Sequence, residues 1–274
     1  MPAIDQQALR ARYNPDGSPL RELQMTLLGV LEEFDRICTA NGIKYWLDGG
    51  TCLGAVRHGG FIPWDDDVDV GMFRQDYEKF VAVFEKGAAD PSTAAEYDRF
   101  ALTSIENDLF YTNGFAKFRI KGPVMQEKGT RADIHYTHRG PFVDIFILDP
   151  LTLSSCRSFK RRSNWLHVFT KMENPGPAAL KMLKFFKKRL LAKAERRRRR
   201  DALRPDLEYR YALCSPLYRF VFHKEYFDTL ERMPFETLSL PVPGNWEGYL
   251  KGLYGDYMSL PTEKEREESA HFGA

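Results

Sequence analysis

Apolar side chains recur at helical spacing near the start of the chain, after a clear helix start signal. Ser18 followed by Pro19 is typical of a helix N-terminus, with the serine capping the first turn. Asn41-Gly42 is typical of a helix end. The apolar positions between these signals are three or four residues apart, as one face of a helix requires. They are Leu20, Leu23, Leu27, Leu31 and Phe34.

Shorter apolar runs after this helix predict a mixed sheet flanked by helices. Strands are predicted at residues 43–47 and 66–72, and helices at 51–58 and 74–86. Further strands are predicted at residues 99–105, 115–121, 132–137 and 142–148. Strands and helices that mix in this way indicate an α+β fold.

The composition changes past Pro150, which divides the chain into two predicted parts. Residues 1–150 form the mixed sheet and its helices. Residues 151–274 are expected to be mainly helical, above all over 155–233, and to complete a cleft with the first part. A short strand near 235–240 and a helix over 246–254 are predicted within it.

The overall composition is that of an ordinary globular protein, with 43% hydrophobic and 28% charged residues. The formal net charge of +2 gives no global argument for nucleic-acid binding. The four cysteines are scattered, which fits a reduced, cytoplasmic protein. We expect neither a secretory signal nor a membrane span, because no apolar run approaches the ~20 residues that a span needs.

The most informative segment places four carboxylates within five positions, at Asp65, Asp66, Asp67 and Asp69. Acids this close repel one another, and a divalent cation is the obvious compensation. In a strand, Asp67 and Asp69 point to one face because side chains alternate. Oxygen ligands favour Mg²⁺ or Mn²⁺. The alternative is a solvated acidic turn, although apolar residues flank the acids on both sides.

A third acid is expected from a neighbouring strand, and Asp144 is the best candidate. It stands alone in an apolar run, where a buried carboxylate without a partner is costly. The alternative is a carboxylate that backbone N–H groups satisfy. Asp67, Asp69 and Asp144 are therefore the predicted metal ligands and catalytic residues.

A glycine turn upstream of the acids is the predicted phosphate-binding element. Gly49-Gly50-Thr51 follows a strand and opens a helix, so backbone N–H groups can approach a phosphate. Arg57, at the end of that helix, could bind a phosphate bidentately. Its alternative is a surface ion pair with Asp65 or Asp66.

Two cations on a later strand are further candidates for substrate binding. Lys117 and Arg119 are two residues apart, so in a strand they share a face. If that face lines the cleft, they could hold nucleotide phosphates. An exposed sheet face is the alternative.

Together these motifs resemble the LicD family of phosphotransferases, which is similar to fukutin and fukutin-related protein within the nucleotidyltransferase superfamily. The superfamily pattern is a Gly-Gly turn, then Asp-hydrophobic-Asp, then a third acid on a later strand. The matching segments here are Gly49-Gly50, Arg57-His58-Gly59, Phe61-Ile62-Pro63-Trp64, Asp65 to Asp69, Val143-Asp144-Ile145-Phe146 and Trp246 to Pro261.

The resemblance implies a nucleotidyltransferase-like catalytic core over residues 1–150. It implies metal-dependent transfer of a phospho-substituent from a CDP-activated donor, often CDP-choline, to a cell-surface glycan or glycolipid such as lipopolysaccharide, with release of CMP. Two Mg²⁺ or Mn²⁺ ions on Asp67, Asp69 and Asp144 would neutralise the donor phosphates. Asp144 would also accept the proton of the attacking hydroxyl.

The same resemblance suggests roles for the remaining residues of the motif. Asp65 and Asp66 would orient the strand or bind metal through water. A choline donor calls for an aromatic cage around its quaternary ammonium, and Trp64 is the first candidate. The other aromatic candidates are Trp46, Tyr111 and Trp246. Each of these side chains has core packing as its alternative.

Other functions stay open at this point. A nucleotidylyltransferase of the same superfamily would use the same metal ligands but release pyrophosphate. Transfer of a phospho-alditol, such as ribitol or glycerol phosphate, would need only a different CDP-alcohol. A metal-dependent glycosyltransferase also uses Asp-x-Asp, although the Gly-Gly turn argues against it. A scaffold protein without activity would have little reason to keep the full acid set.

The segment 178–200 is strongly basic, with eleven Lys or Arg residues and one acid, Glu195. A basic amphipathic helix indicates peripheral contact with an anionic membrane, here at its inner face. The alternative is a solvated helix that packs one stripe on its own domain, and nucleic-acid binding is a less favoured third. The residues expected near one face are Leu180, Leu183, Phe186, Leu190 and Leu191.

Overall fold

The computed structural model describes residues 5–125, 132–204, 207–211 and 219–268, and it confirms the predicted α+β class. The strands are β1 (Trp46–Leu47), β2 (Asp69–Phe73), β3 (Phe100–Thr103), β4 (Ala116–Ile120), β5 (Phe142–Pro150), β6 (Tyr209–Tyr211), β7 (Leu230–Phe235) and β8 (Leu238–Pro243). The α-helices are α1 (Gln6–Tyr13), α2 (Pro19–Ala40), α3 (Gly49–His58), α4 (Arg74–Ala89), α5 (Ala94–Tyr97), α6 (Leu153–Thr170), α7 (Pro177–Ala202), α8 (Trp246–Tyr254) and α9 (Glu263–Glu268).

The main sheet is mixed and draws on both halves of the chain. Within the described residues its order is β1-β2-β5-β4-β3, and β6 pairs with the end of β5. β2 and β5 run parallel, whereas the other neighbours are antiparallel. β7 and β8 form a separate hairpin. Because β6 follows residue 150, the second half of the chain contributes to the same sheet.

One face of the sheet is apolar and is covered by α2 and α4. Phe34 of α2 and Phe80 of α4 each lie 5.8 Å, ring centroid to ring centroid, from Phe118 of β4. Because side chains alternate along a strand, Lys117 and Arg119 on either side of Phe118 point to the opposite face. The polar groups of the sheet are therefore gathered on the face away from these two helices.

Most of the predicted elements are present, and two predictions were wrong. Ser18 caps α2 as expected, its hydroxyl accepting a hydrogen bond from the Arg21 N–H at 3.3 Å. The strand expected at 132–137 is a 3₁₀ turn over Ala132–His135. The helical stretch expected over 155–233 ends with α7, after which β6 and β7 follow. Short segments of this kind take their state from the partners they pair with, which local patterns do not encode.

Three of the cysteines are buried and free, namely Cys38, Cys52 and Cys156. Burial raises the pKa of each of these thiols, so they behave as small apolar side chains with little reactivity. The fourth, Cys214, lies outside the described residues.

A single carboxylate ties the β7–β8 hairpin to the first two helices. Glu236 lies at the hairpin turn and forms ion pairs with Arg10 of α1 and Arg21 of α2, at 2.6 and 2.7 Å. It also accepts a hydrogen bond from the Phe61 N–H at 3.2 Å. Burial acts to raise the pKa of Glu236, but the hydrogen bonds and charges of the two arginines outweigh burial and lower the pKa.

Replacing this carboxylate should destabilise the protein in a pH-dependent way. A group whose pKa is lowered by folding stabilises the fold above its unfolded pKa and loses that effect as pH falls. We expect Glu236→Gln to lower the free energy of unfolding by about 1–3 kcal/mol at neutral pH. The loss should shrink below about pH 4.3, the usual value for glutamate.

Urea unfolding at several pH values would measure this difference. Glu231→Gln, at an exposed position of β7, is the matched control and should leave the unfolding free energy nearly unchanged. A Glu236→Gln effect that is the same at acidic and neutral pH would contradict the ion-pair explanation.

Candidate active site

The two strands at the centre of the sheet bring the predicted acids together. In the parallel pairing of β2 with β5, Asp69 stands opposite Asp144, and in the antiparallel pairing of β5 with β4, Asp144 stands opposite Lys117. Residues paired across neighbouring strands point to the same face of a sheet. Asp69, Asp144 and Lys117 therefore form one cross-strand row on the polar face.

The acidic segment itself alternates between buried and partly exposed side chains. Asp66 is buried, whereas Asp65, Asp67 and Asp69 are partly exposed. β2 begins at Asp69 and not at residue 66 as predicted, yet the Asp144 N–H still donates to the carbonyl of the preceding Val68 at 2.8 Å. The segment thus keeps the two-residue alternation of a strand before the regular pairing begins. Asp65 therefore lies on the same side as Asp67 and Asp69, the two metal ligands predicted in this segment.

The glycine turn lies directly against these carboxylates. Gly49 has φ of 47°, in the left-handed region, and a Cβ added there would lie 3.6 Å from Asp69 Oδ2. A Cβ added at Gly50 would lie 3.2 Å from Asp65 Oδ2. The Thr51 hydroxyl accepts a hydrogen bond from the Asp69 N–H at 2.8 Å. All three predicted residues of the turn are therefore within contact distance of the acidic segment.

The N-terminus of α3 points backbone donors toward the same region. Tyr249 accepts the Gly49 N–H at 2.9 Å. The N–H groups of Gly50 and Thr51 have no hydrogen-bond acceptor within the part of the chain that the structure describes. Free N–H groups at a helix start favour a nearby anion, so this turn could hold a phosphate group.

Asp48, the residue before the glycine turn, was missed by the sequence analysis. Its buried carboxylate accepts hydrogen bonds from the indole of Trp46 at 3.1 Å, from the hydroxyl of Tyr211 at 2.8 Å and from the hydroxyl of Tyr249. Burial raises the pKa of Asp48, while these three donors act in the opposite direction. The sequence did contain an indication of the kind used for Asp144, because Asp48 is a lone acid directly after an apolar strand.

A second tyrosine of α8 also reaches the acids. The hydroxyl of Tyr254 would lie 3.5 Å from a Cβ added at Gly49. Burial, followed by the charges of Asp69 and Asp48, raises the pKa of Tyr254, so its hydroxyl stays protonated at neutral pH. The C-terminal block of the chain therefore closes one side of the site.

The acids of the site are crowded, and this raises the pKa of two of them. Burial, followed by repulsion from Asp67 and Asp144, raises the pKa of Asp69 well above its usual value. Burial and the charges of Asp67 and Asp66 do the same for Asp65. A divalent cation would relieve this repulsion. The oxygen donors are of the type that Mg²⁺ and Mn²⁺ prefer, so the residues present fit the predicted metal.

These carboxylates do not form a closed cage as they stand. Within the described ranges, no group of three or more His, Cys, Asp or Glu side chains is arranged to hold a metal ion. Asp144 is paired with a lysine, since Lys117 Nζ lies 2.8 Å from Asp144 Oδ1. Its metal-binding role stays a prediction.

Comparison with known proteins finds a known family domain within the chain. Residues 42–152 match the family model described as "LicD/FKTN/FKRP, nucleotidyltransferase domain". The lipopolysaccharide cholinephosphotransferase LicD of Haemophilus influenzae is 29% identical over 278 residues, which covers 90% of this chain and 94% of that protein. Residues 42–152 are thus a LicD-family domain.

Two other relatives match over shorter stretches. Ribitol 5-phosphate transferase FKRP of Homo sapiens is 40% identical over 91 residues, 33% of this chain and 17% of that protein. Ribitol-5-phosphate transferase FKTN of Homo sapiens is 42% identical over 50 residues, 18% of this chain and 11% of that protein. The comparisons confirm the predicted resemblance and, with it, the prediction of a phosphotransferase enzyme.

Within the LicD-family domain, Lys117 and Arg119 are buried, so the exposed sheet face considered for them was wrong. Besides pairing with Asp144, Lys117 lies 3.3 Å from the ring centroid of Phe142. Arg119 donates to the Gly140 carbonyl at 3.0 Å. Both side chains are on the polar face of the sheet. Only Lys117 is in the cross-strand row with Asp69 and Asp144, because Arg119 pairs with Phe142.

Arg57 is buried and contacts the segment that follows α8. Its guanidinium donates to the carbonyls of Tyr257 and Ser259, at 2.8 and 3.2 Å, and to His58 Nε2 at 2.9 Å. The ion pair with Asp65 or Asp66, which was considered as the alternative, is not formed among the described residues, and phosphate binding by Arg57 stays a prediction. Arg57 anchors the segment that follows α8, the helix that ends with Tyr254.

The aromatic residues considered for a choline cage lie mostly in the core. Trp64 is buried and packs edge-on against Tyr13 and His58, with ring centroids 5.3 and 5.9 Å apart. Trp46 and Tyr111 are also buried, and Trp246 is partly buried against the core. The structure thus favours core packing for Trp64, and its cage role is a prediction that lacks support from the geometry.

Loss of the Tyr249 hydroxyl should destabilise the glycine turn. This hydroxyl serves both Asp48 and the Gly49 N–H, and its removal leaves buried polar groups with fewer partners. We expect Tyr249→Phe to lower the free energy of unfolding by about 1–3 kcal/mol, measured by urea denaturation. Tyr226→Phe, which removes a hydroxyl with no hydrogen bond within the described chain, is the control. Equal effects of the two substitutions would contradict this role.

Proposed function

We propose that this enzyme, with its LicD-family domain, transfers a phospho-substituent from a CDP-activated alcohol to a glycan or lipid-linked glycan and releases CMP. The observation that carries the proposal is the placement of Asp69 and Asp144 side by side on one sheet face, against a glycine turn with free N–H groups. That arrangement suits a substrate that carries phosphate groups.

CDP-choline is the donor that we propose first. The relative aligned over 90% of the chain is named a lipopolysaccharide cholinephosphotransferase, whereas the ribitol 5-phosphate transferases match a third of the chain or less. A CDP-linked alditol is therefore the second candidate donor. The acceptor is proposed by the same analogy, as a hydroxyl of a cell-surface glycan.

Asp67, Asp69 and Asp144 are the residues that we propose to hold Mg²⁺ or Mn²⁺. When bound, such ions neutralise negative charge on the donor diphosphate and on the leaving CMP. The raised pKa of Asp69 supports this proposal, because it reflects crowded carboxylates that a cation would stabilise. Asp65, against Gly50, adds a fourth carboxylate at the edge of the same cluster.

The chain's own groups account for the remaining steps. The N–H groups of Gly50 and Thr51 are placed to bind a donor phosphate, and Lys117 adds a positive charge beside Asp144. The acceptor hydroxyl would attack the phosphorus that bears the alcohol. Asp144 would take the hydroxyl proton, and the bond to the CMP oxygen would break, with its electron pair leaving on CMP.

Incubation with CDP-alcohols tests the reaction class. We expect the purified protein to release CMP from CDP-choline in the presence of Mg²⁺ and a glycan acceptor, and we expect EDTA to stop the release. CDP-ribitol and CDP-glycerol complete the panel. Release of pyrophosphate from a nucleoside triphosphate, without CMP from any of the three donors, would overturn the proposal in favour of a nucleotidylyltransferase.

Two substitutions test the acid pair. Asp69→Asn and Asp144→Asn should each lower CMP release by at least about 100-fold, the effect of losing one group that stabilises transition-state charge. Circular dichroism and thermal unfolding would verify that both variants fold. Asp16→Asn, at an exposed position, is the control and should keep full activity. Near-normal turnover by either folded variant would refute the site assignment.

A further inference from the structure

Several large apolar side chains are exposed together on the second half of the chain. They belong to α6, to α7 and to the turn between them, and the most exposed is Trp165 at 75%. These side chains are Trp165, Val168, Met172, Met182, Phe185 and Phe186. Contiguous exposed apolar groups of this kind mark an interaction surface more often than chance scatter does.

These exposed residues are distinct from the stripe of α7 that packs against the rest of the protein. That stripe is formed by Leu183, Lys187, Leu190 and Ala194, which are buried and spaced four, three and four residues apart. Phe186, which was expected to share the face of Leu183 and Leu190, is 44% exposed instead. α7 therefore has an inward stripe and, separately, an outward apolar group next to that of α6.

Cations surround this outward group. A groove of about 890 Å³ lies between α6 and α7, with Trp165, Phe169 and Phe185 among its apolar walls. The basic residues that line the same groove are Arg161, Arg162, Arg189, Lys193 and Arg196. We call this combination of exposed apolar side chains and groove cations the α6–α7 surface.

Among the described residues, none of the five groove cations forms an ion pair with an acid. Burial and then the charges of Arg162, Arg197 and Arg196 lower the pKa of Lys193, which places these cations close enough to repel one another. Glu195 is engaged by Arg198 and Arg199. A surface with many negative charges would stabilise this arrangement.

We propose that the α6–α7 surface docks the protein onto an anionic lipid bilayer. Trp165, Phe185 and Phe186 would enter the boundary between headgroups and acyl chains, where aromatic rings are favoured. The groove arginines and Lys193 would contact lipid phosphates. None of the described helices is long and apolar enough to cross a membrane, so the contact is peripheral. The proposal does not depend on the proposed transfer reaction.

The charges argue for a membrane over other occupants of this surface. A second copy of the chain would bring the same cations face to face and be repelled. A nucleic acid would satisfy the cations but would leave the exposed aromatic and methionine side chains without an apolar partner. An anionic bilayer offers phosphates at its surface and hydrocarbon directly below them.

Vesicle flotation with the full chain tests the proposal. We expect at least a tenfold higher bound fraction on vesicles of phosphatidylcholine with phosphatidylglycerol than on phosphatidylcholine alone, and a decrease with added salt. Both Trp165→Ser/Phe185→Ser and Arg161→Glu/Arg162→Glu should reduce binding to the anionic vesicles at least tenfold. Asp69→Asn should bind like the unsubstituted protein, which separates this proposal from the failure of the transfer reaction.

Matched controls guard against general effects of charge and hydrophobicity. Met25→Ser removes an exposed apolar side chain of α2, and Lys44→Glu/Lys86→Glu reverses two exposed charges elsewhere. Both should bind anionic vesicles like the unsubstituted protein. Thermal unfolding would verify that every variant folds.

Tryptophan fluorescence reports insertion directly. Trp46 and Trp64 are buried and Trp246 is partly buried, so a spectral change on binding reports mainly Trp165. We expect a blue shift with anionic vesicles and quenching by brominated lipids, both lost in Trp165→Phe. Binding without a blue shift, binding insensitive to Trp165→Ser/Phe185→Ser, or a lipid-free dimer that these substitutions disrupt would overturn the proposal.

Discussion

The parallel pairing of β2 with β5 is the constraint on which the candidate site depends. It sets Asp69 opposite Asp144 on one face and Val70 opposite Ile145 on the other. A slip of one residue would send an acid into the core and a core side chain into the site, because side chains alternate with period two. The apolar packing of α2 and α4 therefore fixes the register that brings the acids together.

The carboxylates of the site are stabilised unequally, and the difference indicates where substrate chemistry takes place. Asp48 is surrounded by three side-chain donors and Asp144 is paired with Lys117. No comparable set of donors surrounds the Asp69 carboxylate within the described residues, and its pKa is raised by burial and neighbouring acids. Buried polar groups with a structural role have their hydrogen-bond partners within the protein. In a binding site, the ligand supplies some of these partners.

The basic helix α7 has two apolar surfaces, one buried and one exposed, which the sequence pattern did not distinguish. When apolar residues occur at almost every turn of a helix, more than one of its faces could be the buried one. The spacing in α7 predicted a single apolar stripe that included Phe186. Packing against the rest of the domain buried the predicted Leu183 and Leu190 and left Phe186 with the exposed residues of α6. The selection depends on helix–helix contact, which residue spacing alone does not specify.

The sequence by itself determined the capped helix α2, the glycine turn, the α+β class and the acids of β2 and β5, because each has a local signature in residue type and spacing. Only the tertiary structure decided that Tyr249 would hold Asp48 and Gly49, that Arg57 would anchor the segment after α8, and that Lys117 would be buried. These contacts join residues far apart in the chain. Their geometry follows from how α8 and β6 close the sheet, and no short-range pattern carries that information.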